Sequence, residues 1–169
     1  MQKTINGSIL KKMIIAGGVL LEQNKKFVDS LNVFPVPDGD TGTNMSMTMK
    51  SATKEVANCM NNNIDAICEA FAKGALRGAR GNSGVILSQI LKGFSSKTGE
   101  VSSTIDVAVL TEALNKSAEL AYKAVMKPKE GTILTVAKGG AERAAELVEE
   151  GCNDMEAFLA EIGRASCRE

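Results

Sequence analysis

The chain has 169 residues, 44% of them hydrophobic and 24% charged, which is enough for one globular domain with a buried core. Lys plus Arg and Asp plus Glu both number 20, and this balance argues against nucleic acid or an anionic membrane as a partner. The absence of histidine excludes Ser-His-Asp and Cys-His nucleophile systems and the usual zinc sites, leaving carboxylate, hydroxyl, amide, Lys and Arg chemistry.

The cysteines and the first apolar run give no sign of export. The run from Met13 to Leu21 lacks a small-residue cleavage site and is too short to span a bilayer. The four cysteines form no CxxC pair, which favours free thiols in a reducing compartment: Cys59, Cys68, Cys152 and Cys167. We therefore expect a cytoplasmic protein without a transmembrane segment.

Helical periodicity recurs along most of the chain. Apolar residues from Leu10 to Leu21 predict a first helix, with Asn6 or Ser8 as its N-cap. No segment alternates long enough to predict a strand. Because short turns separate the helices, we expect an all-α fold in which consecutive helices pack antiparallel. Further helices are predicted over 43–58, 64–77, 83–94, 105–125, 132–149 and 155–162.

A stiff, proline-containing loop precedes the predicted helix at Thr43, and it ends in Pro37-Asp38-Gly39-Asp40-Thr41-Gly42-Thr43-Asn44. Carboxylates one residue apart across a glycine can turn toward one Mg²⁺ ion, and the first N–H groups of the next helix are expected to face phosphate. Alternatively, Asp38 and Asp40 simply cap that helix. An EF-hand does not fit, because the loop lacks its central glycine and its final glutamate.

Small residues form a second cluster, Gly78-Ala79-Arg80-Gly81-Asn82-Ser83-Gly84, just before the next apolar helix. Glycine lets a ligand approach the backbone closely, and Ser83 with the free N–H groups of the next turn can bind phosphate oxygens. The cluster is neither a Walker A loop nor a dinucleotide fingerprint. Tight helix packing around small residues explains the same pattern, so both interpretations remain open.

A third segment breaks one helix and starts another: Lys127-Pro128-Lys129-Glu130-Gly131-Thr132. As a plain connection between helices, it needs no function. Lys127 and Arg80 are candidates for stabilising charge on a transferring phosphoryl group, although lone basic loop residues are more often solvated.

Together these three segments resemble the nucleotide-binding domain of the dihydroxyacetone kinase L-subunit family, and most closely its fatty acid kinase branch. The resemblance runs from Ile5 to about Leu159. It implies a closed, antiparallel eight-helix barrel, of which we expect six or seven helices because the domain is truncated at its C-terminus. We interpret residues 1–161 as that domain and 162–169 as a non-native tail translated from a sequencing adapter.

The resemblance also implies individual roles. ATP or ADP would be held through two Mg²⁺ ions by Asp38 and Asp40, with Asn32 near the position of a third family ligand but displaced by one residue. The implied catalytic residues are Asp38, Asp40 and Arg80. The implied nucleotide contacts are Thr41, Asn44, Gly81, Asn82, Ser83, Gly131 and Thr132.

The function implied is Mg²⁺-dependent transfer of the γ-phosphoryl group of ATP to a fatty acid carboxylate, giving an acyl phosphate for phospholipid metabolism. The acid would be presented by a separate, DegV-like fatty-acid-binding protein, and any homodimer would form through regions beyond this chain. Two alternatives remain open: a glycerone-type kinase subunit acting on dihydroxyacetone, and a regulatory domain that binds nucleotide without turnover.

Overall fold

The structure is a computed structural model that describes residues 1–101 and 103–167. These residues form helices almost throughout, which confirms the predicted all-α class. In chain order the elements are β1 (Ile5–Asn6), α1 (Gly7–Ser30), α2 (Thr41–Asn58), α3 (Ile64–Gly78), α4 (Gly81–Thr98), β2 (Thr104–Ile105), α5 (Val107–Lys123), α6 (Ile133–Glu149) and α7 (Met155–Ser166).

The N-terminal helix begins where its capping residue predicts. The side chain of Asn6 accepts a hydrogen bond from the Ile9 N–H at 2.9 Å, which satisfies one of the free donors of the first turn. Residues 22–30 contain neither glycine nor proline, so the helix continues to Ser30. The expectation of no strand was wrong in one detail: β1 and β2 pair antiparallel. Each strand has only two residues, so neither could show an alternating pattern.

The odd-numbered helices begin at one end of the molecule, which we call the base. Pairing of Ile5 with Ile105 brings the starts of α1 and α5 together. The Met155 N–H donates to the Gln2 carbonyl at 2.7 Å, which adds the start of α7. Each helix from α1 to α6 packs against the next one along the chain. Consecutive helices therefore run antiparallel, as predicted, and α2, α4 and α6 begin at the opposite end.

The hydrophobic core lies toward the base. Most of its buried side chains come from the first half of α1, α3, α5 and α7 and from the last half of α2 and α6, and the two strands add Ile5 and Ile105. Within α1 no residue beyond Ile14 is buried. The base therefore carries most of the apolar packing, and the opposite end is free to form a cavity. Core members include Leu10, Val56, Ile64, Ile67, Phe71, Leu110, Leu147 and Phe158.

Glycines bring α2 into close contact with its neighbours. A Cβ atom on Gly78 would lie 2.1 Å from Cβ of Ser51, and one on Gly84 would lie 2.4 Å from Oγ1 of Thr48. Neither position has room for a side chain. The tight-packing interpretation of the second cluster is therefore confirmed for these two glycines.

The last helix continues past the predicted domain boundary. Helix α7 runs through Ser166, and Ile162 packs against the core. The non-native origin of 162–169 remains a prediction, and its last two residues, Arg168 and Glu169, lie outside the described part of the chain. Among the described helices, none has the length and apolar character that crossing a bilayer requires.

Candidate functional site

The three predicted segments meet around one cavity of about 430 Å³ at the end opposite the base. The first turns of α2, α4 and α6 and the loops before them line it. The lining residues are Asn32, Phe34, Pro35, Val36, Asp38, Asp40, Thr41, Asn44, Met45, Gly81, Asn82, Ser83, Ile86, Val125, Lys127, Lys129, Thr132, Ile133 and Leu134.

Two of the predicted site residues do not line this cavity. The Arg80 guanidinium lies at the exposed start of α4, where Nη1 donates to the Ala79 carbonyl at 2.9 Å. Gly131 belongs to the third loop, and its N–H donates to Oγ1 of Thr135 at 2.8 Å. Lys127 and Lys129 face the cavity instead. The catalytic role of Arg80 therefore remains a prediction that its position does not favour.

The carboxylates of Asp38 and Asp40 share the cavity wall. Asp40 occupies the N-cap position of α2, yet its side chain makes no capping hydrogen bond. The interpretation of Asp40 as a helix cap is therefore wrong. Within the described residues neither carboxylate accepts a hydrogen bond, so both keep their lone pairs for a ligand.

Asp29, near the end of α1, caps α2 in place of Asp40. Its Oδ1 accepts from the Thr43 N–H at 2.9 Å, and its Oδ2 accepts from the Thr43 hydroxyl at 2.7 Å. These bonds lower the pKa of Asp29 below its usual 3.8, the hydroxyl having the largest effect. No signal in the sequence points to Asp29, because 14 residues separate it from Thr43 and no local pattern links them.

Asn32 shapes the loop that carries the two carboxylates. Its Oδ1 accepts from the N–H groups of Asp40 and Thr41 at 3.2 and 3.4 Å, and its Nδ2 donates to the Val36 carbonyl at 2.9 Å. A carbonyl oxygen has two lone pairs, and both are directed at the loop. A role for Asn32 as a metal ligand remains a prediction, since the oxygen would have to exchange these bonds for the ion.

The free N–H groups of the cavity belong to α4 rather than to α2. Asn32 and Asp29 occupy the Thr41 and Thr43 N–H groups, so the expectation that the start of α2 faces phosphate was wrong. The N-cap of α4 is Arg80, whose side chain makes no capping bond. The first turn of α4, with Asn82 and Ser83, is thus open to an anion, and the helix dipole favours one there.

Gly81 fits the ligand-binding interpretation of the second cluster. Its φ is +62°, in the left-handed region that favours glycine. A Cβ atom on Gly81 would lie 2.3 Å from Nδ2 of Asn44 and would crowd the cavity wall. Close packing is therefore confirmed at Gly78 and Gly84, and the ligand-binding role of the cluster stays a prediction that the position of Gly81 in the cavity wall favours.

A hydrogen-bonded anchor holds the third loop. Glu130 accepts from the hydroxyls of Thr135 and Tyr122 at 2.8 and 3.2 Å. The Thr135 bond is the main reason that the pKa of Glu130 is lowered. Lys129 in the third loop also approaches Phe34 in the first loop: its Nζ lies 5.8 Å from the ring centroid. The two loops therefore meet at the cavity, which both residues line.

The donor set of the cavity fits Mg²⁺ carried by a polyphosphate. Asp38 and Asp40 are hard oxygen donors, and Mg²⁺ is commonly held by one or two carboxylates with water and phosphate completing its shell. The described residues contain no group of three or more His, Cys, Asp or Glu side chains that could enclose a metal on their own. The nucleotide phosphates would therefore have to supply part of the coordination.

The fold and this cavity define an all-helical domain suited to a polyphosphate ligand. The chain belongs to the DAK2 domain family, whose sequence model matches residues 35–168. This is the dihydroxyacetone kinase L-type domain that the motifs resemble, and the family is associated with nucleotide-binding kinase subunits.

Two staphylococcal relatives illustrate the match. A protein of Staphylococcus epidermidis (strain ATCC 12228 / FDA PCI 1200) is 51% identical over 164 residues, which are 96% of this chain and 30% of the relative. A protein of Staphylococcus aureus (strain USA300) is 56% identical over 142 residues, 84% of this chain and 26% of the relative. Both are described only as uncharacterized proteins, and the chain spans less than a third of their length.

Proposed function

We propose that this chain is the ATP-binding part of a kinase that phosphorylates a fatty acid carboxylate, giving an acyl phosphate and ADP. The observation that carries the proposal is the pair of unengaged carboxylates, Asp38 and Asp40, in one cavity with the open first turn of α4. Carboxylates alone would repel a polyphosphate, whereas carboxylates that hold a divalent cation attract it.

Each part of the cavity has a role in this proposal. Asp38 and Asp40 hold Mg²⁺, which when bound neutralises charge on the phosphates. The N–H groups of the first turn of α4 and the Ser83 hydroxyl orient the phosphates, and Lys127 lies where it can approach the transferring group. The nucleobase is assigned to the apolar part of the lining: Ile86, Val125, Ile133 and Leu134.

A carboxylate acceptor suits a chain without histidine. A fatty acid is already ionised at neutral pH, so no residue has to remove its proton. One carboxylate oxygen attacks the γ-phosphorus as the bond from that phosphorus to the β–γ bridging oxygen breaks, and ADP leaves with the electron pair. The chain needs to align the phosphates and stabilise charge, and the cavity has groups for both tasks.

The size of the cavity supports a separate partner for the acid. A volume of about 430 Å³ lies toward the small end of ligand sites, and a nucleotide would occupy most of it. An acyl chain therefore has to be held elsewhere. We propose a DegV-like fatty-acid-binding protein that brings the carboxylate to the cavity mouth.

A second candidate follows from the family itself. The DAK2 family is associated with kinase subunits, and the resemblance of the motifs to dihydroxyacetone kinases makes that substrate class the alternative. Its hydroxyl acceptor has to lose a proton, and a histidine that held the substrate or took this proton would have to come from a partner, because this chain has none.

The decisive experiment measures products with the full-length protein, ATP, Mg²⁺ and either oleate with its binding partner or dihydroxyacetone. Acyl phosphate without glycerone phosphate supports the proposal, and the reverse supports the alternative. Nucleotide binding without either product indicates a regulatory domain. The double variant Asp38→Ala/Asp40→Ala should lose Mg²⁺-dependent turnover. Asp106→Ala, which removes a capping carboxylate at the base, is the matched control and should retain it.

A further inference from the structure

The cap of α2 is supplied by a different helix. In α2 the N-cap is Asp40, and Thr43 is the third helical residue. An N-cap aspartate normally accepts a hydrogen bond from the N–H of the second or third helical residue. In this structure Asp29 accepts from the Thr43 N–H at 2.9 Å, and it also interacts with the Gly42 N–H. Asp29 therefore occupies the donors that Asp40 would otherwise engage.

A glycine makes this arrangement possible. The first turn of α2 lies so close to α1 that a Cβ atom on Gly42 would stand 2.1 Å from the Lys25 carbonyl oxygen. No other residue fits between the two helices there, and only this approach brings the short Asp29 side chain within reach of Thr43. The interhelix contact and the cap thus depend on each other.

We propose that Asp29 is a positioning residue that keeps the Asp40 carboxylate turned toward the cavity by capping α2 in its place. The inference rests on the proposed function, because it presupposes that Asp40 binds the metal of a metal-nucleotide complex. Without Asp29, the Thr43 N–H is free and Asp40 turns back to cap its own helix. The helix start is then satisfied, but the metal loses one ligand.

Two substitutions separate capping from charge. Asp29→Ala removes the acceptor, whereas Asp29→Asn removes the charge and keeps an oxygen that can accept from the Thr43 N–H, and Asn is as good a capping residue as Asp. Asp29→Asn should therefore keep the Mg²⁺ affinity that Asp29→Ala loses. A residue that acted only through its negative charge would show no such rescue.

Glu22 provides a matched control on the same pair of helices. Its carboxylate accepts a hydrogen bond from the Ser46 hydroxyl, so it also joins α1 to α2. Ser46 lies beyond the first turn of α2, and the other hydrogen bond of Glu22 goes to Lys25 within α1. Glu22→Ala therefore removes an equivalent interhelix bond without changing the cap.

The test titrates Mg²⁺ against binding of a fluorescent ADP analogue to the full-length protein and its variants, with direct Mn²⁺ binding by electron paramagnetic resonance as a second readout. Asp29→Ala should raise the Mg²⁺ concentration at half-maximal ADP binding, the Mg²⁺ midpoint, about tenfold. Metal binding then has to turn Asp40 away from the helix start, which costs the free energy of one helix cap. Nucleotide binding at saturating Mg²⁺ should recover. Asp29→Asn should stay within about twofold of wild type, and Glu22→Ala should lower Tm without moving the midpoint.

An unchanged Mg²⁺ midpoint in Asp29→Ala, while Asp38→Ala/Asp40→Ala abolishes binding, overturns this inference and leaves the proposed function intact. Wild-type protein that binds ADP without any Mg²⁺ dependence overturns both. If Asp29→Ala does not fold, Asp29→Ser replaces it, because the serine hydroxyl is one bond closer to the backbone than the aspartate oxygens and does not reach the Thr43 N–H that Asp29 binds at 2.9 Å. A smaller shift in the same direction supports the inference, and no shift overturns it.

Discussion

Gly81 and Asn44 meet at the cavity wall with no space for a side chain between them. A Cβ atom on Gly81 would lie 2.3 Å from Nδ2 of Asn44, and the φ of Gly81 is +62°. We expect Gly81→Ala to lower the free energy of unfolding by about 1–2 kcal/mol through backbone strain. It should also weaken nucleotide binding, because Asn44 must move. Isothermal titration with MgADP and urea unfolding measure the two effects.

Gly151 offers the control for that substitution. Its φ is +81°, and nothing lies within 4 Å of the position that its Cβ would take. Gly151 lies in the turn between α6 and α7, away from the cavity. Gly151→Ala should therefore match Gly81→Ala in stability and leave the MgADP affinity unchanged. Equal MgADP affinities of wild type, Gly81→Ala and Gly151→Ala would contradict the role of Asn44 as a nucleotide contact.

The basic residue that acts on the transferring phosphoryl group can be identified by comparing two positions. Lys127 lines the cavity, whereas Arg80 points its guanidinium at the Ala79 carbonyl. We expect Lys127→Ala to lower kcat by about tenfold or more, the usual effect of losing a charged hydrogen bond, and Arg80→Ala to lower it less than about threefold. Steady-state kinetics of the full-length enzyme decide between them. A larger loss in Arg80→Ala would restore its predicted catalytic role.

The third loop should show a carboxylate-dependent stability. Hydrogen bonds from Thr135 and Tyr122 lower the pKa of Glu130 below its usual 4.5. A lowered folded-state pKa stabilises the fold above pH 4.5, and that contribution is lost as pH falls through the folded-state pKa. The Tm difference between wild type and Glu130→Gln should therefore be constant near neutrality and shrink below pH 4.5. Parallel Tm curves across the whole pH range would contradict this.

Packing at the base should dominate stability. Phe158 is 0% exposed in the core, so Phe158→Ala should cost about 3–5 kcal/mol by leaving a cavity. Phe27, on the open part of α1, is 63% exposed, and Phe27→Ala should change stability by less than about 0.5 kcal/mol. Urea unfolding compares the two, and similar losses would show that the core extends farther along α1 than its burial indicates.

Most of the fold was predictable, because helical periodicity and helix breakers act over a few residues. The Asn6 cap is an example: its partner is the N–H of Ile9, three residues away. The pairing of Ile5 with Ile105 was not predictable, since it joins two-residue strands a hundred positions apart. For the cavity, the motifs identified which residue types gather, and nine of the predicted site residues line it: Asn32, Asp38, Asp40, Thr41, Asn44, Gly81, Asn82, Ser83 and Thr132.

The sequence by itself determined the all-helical class and the segments that surround the cavity, because spacing, glycine and proline are read locally. Only the tertiary structure decided which helix start is open. The N–H groups of α2 go to Asp29 and Asn32, which leaves Asp40 unengaged and makes the first turn of α4 the open one. Competition among acceptors for one donor depends on distances of a few tenths of an ångström between separate helices, and no pattern along the chain encodes them.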